Sequence, residues 1–336
     1  MQEVDHGGAL DRAVARYGGA REDWLDLSTG INPMPYPVPD IPDMAWHRLP
    51  DEALMAQCLQ AARQCYGVPD DAEIAAAPGT QSIIQWLPQL CPEGPVVIVA
   101  PTYGEYAETW RRHGVETDLV PDINSVPEDA AVAVVVRPNN PDGAIVDADS
   151  LHALAETLRG RGGLLVIDEA FGDIVPEYSL VAHAGTGGWL VLRSFGKFFG
   201  LAGLRLGFAI GDAATVARLR ACLGPWAVSG PALHVGAVVL EDEAWISGMR
   251  RRLWRDSARL RDLLQAVNFA IIGEADLFIL AAHADATVIA EELAQRRILV
   301  RSFDYEPVWL RFGLPGDDAG FERLGEALGA IAGLDQ

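Results

Sequence analysis

Short apolar runs alternate with amphipathic stretches through the middle of the chain. The runs at 96–100, 131–137, 164–167, 189–192 and 206–210 are rich in Val, Ile and Leu, and several are continuously apolar. Such runs are typical of strands that are covered on both faces. The stretches at 81–90 and 149–158 have helical spacing and lie between the runs. This order predicts βαβ units, and therefore an α/β fold with a mostly parallel central sheet.

The two ends of the chain have a different pattern. Residues 1–45 are rich in Gly and Pro, which predicts an extended arm. After residue 225 the pattern predicts a long helix at 241–267, a strand at 277–281, a helix at 286–296, and strands at 298–301 and 309–312. We therefore expect an arm at 1–45, a large domain at 46–225 and a smaller α+β domain at 226–336.

Composition limits the kinds of partner. The formal net charge of −21 argues against a nucleic-acid-binding protein, because phosphate backbones are bound by clustered Lys and Arg. No apolar stretch approaches the roughly 20 residues that a membrane helix needs, and the N-terminus has no signal-peptide pattern. The four cysteines are scattered without metal-ligand spacing. We expect a cytoplasmic protein without a membrane span or a metal site.

The strongest chemical signal is Lys197. It follows the predicted strand at 189–192 and Ser194, on a turn bordered by glycines, and Arg205 comes eight residues later. An amine held in a pocket beside another cation loses its proton more readily and can form a Schiff base with an aldehyde. Pyridoxal phosphate is the candidate aldehyde. The alternative is an ordinary surface lysine.

Four other segments carry weaker signals. Gly79, Thr80 and Gln81 open a predicted helix and could hold a phosphate, although a simple helix cap explains them equally well. Three further residues follow predicted strands, where ligands of α/β sheets collect. Asn140 could donate to a phenolate oxygen or belong to a plain turn, Asp168 could pair with a pyridine nitrogen or cap a helix, and Tyr103 could stack on a flat ring or cap the core.

Taken together, these segments resemble the fold type I pyridoxal-phosphate enzymes, the aspartate aminotransferase superfamily. Asn139-Asn140-Pro141-Asp142-Gly143 is similar to the family's Asn-Asn-Pro-Thr-Gly, with Asp142 in place of threonine. The resemblance implies that Lys197 is the Schiff-base lysine and that the chain forms a homodimer. The cofactor contacts that it implies are Gly79, Thr80, Gln81, Tyr103, Asn140, Asp168, Ser194 and Arg205. Phe171 stands where many members have a tyrosine.

Within this superfamily the chain resembles two groups, the threonine-phosphate decarboxylases of cobalamin biosynthesis and the histidinol-phosphate aminotransferases. His6-Gly7-Gly8, the segment ending in Asn32-Pro33, and Asp168-Glu169-Ala170-Phe171 favour the decarboxylases. That resemblance implies a small phosphorylated amino-acid substrate. Its expected contacts are His6, Gly7, Asn32, Asn140, Arg301 and Arg311. The alternatives are an aminotransferase and, as another class, a non-catalytic cofactor-binding regulator or scaffold.

Overall fold

The computed structural model of the protein describes residues 7–332 and contains both helices and strands in alternation. The strands in chain order are β1 Leu25–Asp26, β2 Glu73–Ala77, β3 Val96–Val99, β4 Thr117–Val120, β5 Val132–Val136, β6 Leu164–Glu169, β7 Trp189–Ser194, β8 Gly207–Gly211, β9 Ala270–Ala275, β10 Phe278–Ala282, β11 Ile298–Leu299, β12 Arg301–Ser302 and β13 Trp309–Gly313.

Twelve α-helices accompany these strands in the described part of the chain. They are α1 Leu10–Tyr17, α2 Asp43–His47, α3 Glu52–Tyr66, α4 Thr80–Leu90, α5 Glu105–Arg112, α6 Ala148–Arg159, α7 Phe195–Phe198, α8 Ala213–Leu223, α9 Gly230–Leu240, α10 Glu243–Ala266, α11 Ala286–Gln295 and α12 Asp318–Ala332.

The chain forms two compact units. The large unit consists of residues 35–140 and 145–246. The small unit consists of the described residues up to 34, the short segment 141–144, and the residues from 247 onward. Both units are therefore discontinuous in sequence.

A seven-stranded sheet forms the centre of the large unit. Its order is β2-β8-β7-β6-β5-β3-β4, and every neighbouring pair is parallel except the two that β8 makes. The expected mostly parallel α/β sheet is confirmed, with β8 as its antiparallel member. Because β5, β6 and β7 are adjacent and parallel, their carboxyl ends lie along one edge of the sheet.

Apolar strand sequences explain the burial of this sheet. All residues of β5, β6 and β7 are buried, and side chains from α4, α5 and α8 pack on one face. Strands covered on both faces need apolar residues at successive positions rather than at alternate ones. The exceptions are polar residues at the strand ends, among them Asp168, Glu169, Arg193 and Ser194.

The small unit contains an antiparallel sheet in the order β12-β13-β10-β9 and a parallel pair of β1 with β11. In this sheet Arg301 of β12 lies directly opposite Arg311 of β13. Two like charges at opposed positions are unfavourable unless an anion or the surroundings compensate them.

The structure differs from the sequence prediction in two segments, the arm and the strand predicted at 298–301. The segment predicted as an extended arm contains α1 and the start of α2. The long helix predicted at 241–267 is confirmed as α10, Glu243–Ala266. The predicted strand at 298–301 is two short strands in different sheets. In the described residues no helix is long and apolar enough to cross a membrane.

Candidate active site

A cavity of about 170 Å³ lies in the large unit. The segments that follow β5, β6 and β7 contribute to its wall, as does the start of α4. All the residues that the sequence analysis assigned to the cofactor line this cavity. They are Gly79, Thr80, Gln81, Tyr103, Asn140, Asp168, Ser194, Lys197 and Arg205.

Lys197 lies on α7, a helix of four residues that begins immediately after β7. Its Nζ atom is 5.6 Å from the centroid of the Phe171 ring. Phe195, Phe198 and Gly196 around it are buried, so the backbone that carries the amine is fixed by packing. Lys197 is also the single lysine among the 26 lysine and arginine residues of the chain.

Asp168 supplies a buried carboxylate at the end of β6. Its Oδ1 accepts a hydrogen bond of 2.8 Å from the Ala170 amide, and its Oδ2 accepts one of 2.8 Å from the Tyr106 hydroxyl. Burial raises the pKa of Asp168, while these two hydrogen bonds and the charge of Lys197 act in the opposite direction. The site thus holds a carboxylate that a cationic ligand would stabilise.

The opposite role, binding of an anion, belongs to the start of α4 and to Arg205. Gly79 has φ of +81°, and a Cβ atom there would lie 2.5 Å from Arg205 Nη2. The first amides of a helix are positively polarised and have no partner within the helix. Glycine at 79 therefore leaves the space in which an anion can reach these amides and the guanidinium together.

Arg205 itself adopts an unusual backbone conformation. Its φ and ψ are 57° and 58°, in the left-handed region, at the end of a short 3-10 helix. Its Nη1 donates to the carbonyl oxygen of Ala202. Non-glycine residues in this region are uncommon and tend to be found at functional sites.

Tyr103 is held by a chain of polar contacts. Its hydroxyl donates to Gln81 Oε1 at 3.1 Å, and Gln81 Nε2 donates to Glu105 Oε2 at 2.7 Å. Glu105 is only 5 % exposed. Burial raises the pKa of Tyr103 to about 12, so its ring remains a neutral phenol at neutral pH.

These residues fit pyridoxal phosphate. An amine, a buried carboxylate, an aromatic ring and a helix N-terminus with an arginine correspond to the aldehyde, the pyridine nitrogen, the ring face and the phosphate of that cofactor. A helix cap without a ligand does not require the space that Gly79 leaves beside Arg205. In the described residues no group of His, Cys, Asp and Glu could hold a metal ion.

Apart from Asn140, the described residues assigned to the substrate belong to the small unit. Gly7 and Arg301 line a second cavity, in the small unit, together with Arg12 and Arg16. Arg311 is buried and donates to the Ser28 carbonyl oxygen at 3.0 Å.

Asn32 is also buried in the small unit, and its Oδ1 accepts from the Met34 amide. Burial, followed by the charge of Arg301, lowers the pKa of Arg311 to about 10. His6 lies outside the described residues.

Sequence reasoning missed Tyr106 and Glu105. Their side chains form hydrogen bonds with two residues that line the cavity, Asp168 and Gln81. Tyr106 and Glu105 both lie on α5 and do not line the cavity. The one signal for Tyr106 is its position three residues after Tyr103, and the two rings lie edge to face in the structure. The uniqueness of Lys197 was available from the sequence as well, and it distinguishes this residue from an ordinary surface lysine.

Comparison with known proteins identifies relatives along nearly the whole chain. The sequence model of the family described as "Aminotransferase class I and II" matches residues 44–328. A threonine-phosphate decarboxylase of Sinorhizobium sp is 45 % identical over 97 % of both chains. A threonine-phosphate decarboxylase of Pseudomonas aeruginosa is 41 % identical, again over 97 % of both chains.

A solved structure shares the fold. The histidinol-phosphate aminotransferase of Sinorhizobium meliloti in complex with pyridoxal-5'-phosphate superimposes with a TM-score of 0.83 at 18 % identity. The similarity covers 100 % of this chain and 97 % of that chain.

Proposed function

The chain belongs to the class I and II aminotransferase family, and on this basis we propose that it decarboxylates L-threonine O-3-phosphate. The product is (R)-1-amino-2-propanol O-2-phosphate, a precursor in cobalamin biosynthesis. The observation that carries the proposal is the identity of 45 % and 41 % with two threonine-phosphate decarboxylases over nearly the full length. The enzyme depends on pyridoxal phosphate.

Several polar groups of the cavity in the large unit have a defined task in this proposal. Lys197 binds the aldehyde carbon, Asp168 binds the ring nitrogen, and Asn140 donates to the ring oxygen. The α4 N-terminus with Thr80, Ser194 and Arg205 binds the phosphate. When bound, the cofactor accepts the electron pair of the bond that breaks.

Arg301 and Arg311 are the groups that we assign to the substrate's two anions. Arg311 takes the carboxylate and Arg301 takes the phosphate, with Gly7, Asn32 and His6 as further contacts. Their opposed positions on β12 and β13 support this assignment, because two guanidinium groups at such positions favour the binding of an anion. The net charge of −21 makes such local cationic sites necessary for capturing an anionic substrate.

The protein selects the bond by holding the substrate. Binding energy from the phosphate, remote from the reacting carbon, can fix the carboxylate in the orientation from which it leaves. Carbon dioxide would depart after the substrate's amino group has replaced Lys197 on the aldehyde carbon. The released Lys197, in its ammonium form, would then deliver a proton to the carbon that carried the carboxylate. One proton therefore replaces one carbon dioxide, and the amino group stays on the product.

The deciding experiment supplies purified, cofactor-loaded protein with threonine phosphate. We expect stoichiometric carbon dioxide and aminopropanol phosphate without any keto acid present. Parallel reactions contain 2-oxoglutarate with either threonine phosphate or histidinol phosphate. Formation of glutamate, with no carbon dioxide, would identify an aminotransferase instead. Phe171 favours the decarboxylase, since many aminotransferases of the family have tyrosine at this position.

We further propose a cytoplasmic homodimer. Four large apolar side chains within a short segment of the large unit are strongly exposed, with fractions of 59–65 %: Val38, Met44, Trp46 and Leu49. This segment packs on α9 through α2, and the backbone of Ala45 approaches Gly230 closely. Several large apolar side chains exposed within one segment are typical of a protein–protein interface, and a second copy of the chain is the partner that the family resemblance implies.

A further inference from the structure

Tyr106 is fully buried on α5, and its hydroxyl donates a 2.8 Å hydrogen bond to Asp168 Oδ2. Asp168 is itself only 4 % exposed. The other carboxylate oxygen is held by a backbone amide, that of Ala170. Tyr106 is therefore the side chain whose replacement changes the hydrogen bonding of this carboxylate while the backbone donor stays in place.

We propose that Tyr106 is a positioning residue that keeps Asp168 ionised and turned towards the ring nitrogen of the cofactor. The inference rests on the proposed function, since it concerns how the cofactor is held. A buried carboxylate without donors takes up a proton, and a neutral acid cannot stabilise a positively charged ring nitrogen. The hydroxyl of Tyr106 opposes that proton uptake through a hydrogen bond that is strongest when the carboxylate is charged.

The surroundings of Tyr106 suit this task. The pKa of Tyr106 is raised well above its ordinary value, first by burial and then by the charge of Asp168. The phenol therefore remains a donor throughout the pH range in which enzymes work. Its ring stands edge-on to Tyr103, with centroids 6.3 Å apart and planes at 86°, and Tyr103 lines the cavity. The segment just before α5 thus carries the ring that faces the cavity, and the first turn of α5 carries the phenol that holds the carboxylate.

The chain provides a matched control in Tyr66. This tyrosine is also buried in the large unit, but its hydroxyl has no hydrogen-bond partner among the described residues. Tyr66→Phe and Tyr106→Phe each remove one buried hydroxyl without changing the ring. Only Tyr106→Phe removes a donor to Asp168.

The first test measures the dissociation constant of pyridoxal phosphate by absorbance titration of both apo-variants. We expect Tyr106→Phe to bind the cofactor roughly tenfold more weakly than the unchanged protein, the size expected for losing a hydrogen bond to a charged group. The loss should increase as the pH is lowered, because the pKa of Asp168 rises when a donor is removed. Tyr66→Phe should match the unchanged protein in both respects.

The second test places Tyr106→Phe in an Asp168→Asn background. If Tyr106 acts through Asp168, its hydroxyl should have little effect on cofactor affinity in this background. The double variant should then bind the cofactor as weakly as Asp168→Asn alone. Equal cofactor affinity and equal pH dependence in Tyr106→Phe and Tyr66→Phe would overturn the proposal. So would a Tyr106→Phe protein that fails to fold while Tyr66→Phe folds, since the hydroxyl would then serve folding. Failure of the unchanged protein to bind pyridoxal phosphate would instead count against the proposed function.

Discussion

At the scale of single residues, the uniqueness of Lys197 makes its chemistry directly measurable. A protease that cuts only after lysine divides the denatured chain once, into residues 1–197 and 198–336. Borohydride reduction of the cofactor-loaded protein converts the link to Lys197 into a stable bond and removes the cleavage site. We expect the reduced protein to stay intact on a denaturing gel, and the unreduced protein to give two fragments.

Lys197→Ala is the negative control for the borohydride experiment. This variant should keep no reducible cofactor after gel filtration and should have no measurable decarboxylation. Complete cleavage of the loaded and reduced protein would show that the cofactor is not attached at Lys197.

We expect Asp168 to lower the stability of the apo-protein and to strengthen cofactor binding. Burial raises its pKa in the folded protein, so the ionised carboxylate destabilises the apo-protein above that pKa, and the penalty disappears as the pH falls. Asp168→Asn should therefore raise the free energy of unfolding of the apo-protein by about 1 kcal/mol at neutral pH and by less in acid. The same change should abolish tight cofactor binding.

Thermal unfolding of the apo- and cofactor-loaded proteins at several pH values checks this expectation. The unchanged protein should be stabilised strongly by added pyridoxal phosphate, and Asp168→Asn should not be. An Asp168→Asn apo-protein that is less stable than the unchanged one would show that the carboxylate has a structural role.

Several residues that line the cavity were predictable from sequence because they lie at or just after the ends of apolar strands, and the ends of parallel neighbouring strands meet. That reasoning predicted that Asn140, Asp168 and Lys197 lie close together. It could not find Tyr106 or Glu105, because a tyrosine and a glutamate at the start of a helix have no pattern that separates support of a site from ordinary packing. The roles of the individual residues stay predictions until such variants are measured.

At the scale of elements, a buried ion network lies at the ends of β6 and β7. Arg193 Nη1 is 2.8 Å from Glu169 Oε2, and Arg193 Nη2 is 2.6 Å from Asp173 Oδ1. The guanidinium carbon is 4.5 Å from the centroid of the Tyr66 ring. Glu169 follows Asp168 and Arg193 precedes Ser194, so neighbouring positions point to opposite faces of the sheet. The network therefore links the ends of β6 and β7 on the face of the sheet opposite to the site.

Removing the arginine should leave two buried carboxylates without their cation. We expect Arg193→Ala to lower the free energy of unfolding by about 3–5 kcal/mol. Arg220→Ala is the control, since Arg220 pairs with Glu73 at an exposed position, and such a pair contributes about 0–1 kcal/mol. Denaturant titration of both variants measures the difference. A similar small loss in both would show that the buried network contributes little.

Element types were predicted best where strands are buried on both faces. β5, β6 and β7 were found from continuous apolar runs. β2, with the sequence Glu-Ile-Ala-Ala-Ala, and β4, with Thr-Asp-Leu-Val, were missed, because alanine and polar residues give no strand signal. The direction of β8 could not be predicted either, since pairing direction depends on the path of the chain between strands.

At the scale of the whole molecule, the exposed apolar segment around Trp46 tests the proposed dimer. Trp46 is 63 % exposed in the large unit, and Trp254 is 64 % exposed in the small unit. A charge placed in an apolar interface is costly to bury. Trp46→Glu should therefore weaken dimerisation at least tenfold, and Trp254→Glu should leave it unchanged.

Analytical ultracentrifugation over a range of protein concentrations measures the association. An unchanged protein that sediments as a monomer would exclude the homodimer. Equal association in both tryptophan variants would place the interface elsewhere.

The division of the chain into two units was only partly visible in the sequence. The expected boundaries at 45 and 225 rest on changes of composition and remain a prediction. The assignment of residues 141–144 to the small unit has no compositional signal. It depends on close backbone packing, in which Gly143 approaches Glu274 and Gly273 approaches Asp142. Packing between segments far apart in sequence is decided by the folded chain and not by any local pattern.

The left-handed backbone of Arg205 has a consequence for protein engineering. Glycine adopts this conformation without the steric penalty that a side chain brings, so a screen for heat resistance alone would favour glycine at position 205. Such a variant would lack the guanidinium beside Gly79. Libraries that aim at a more durable enzyme should therefore keep position 205 fixed.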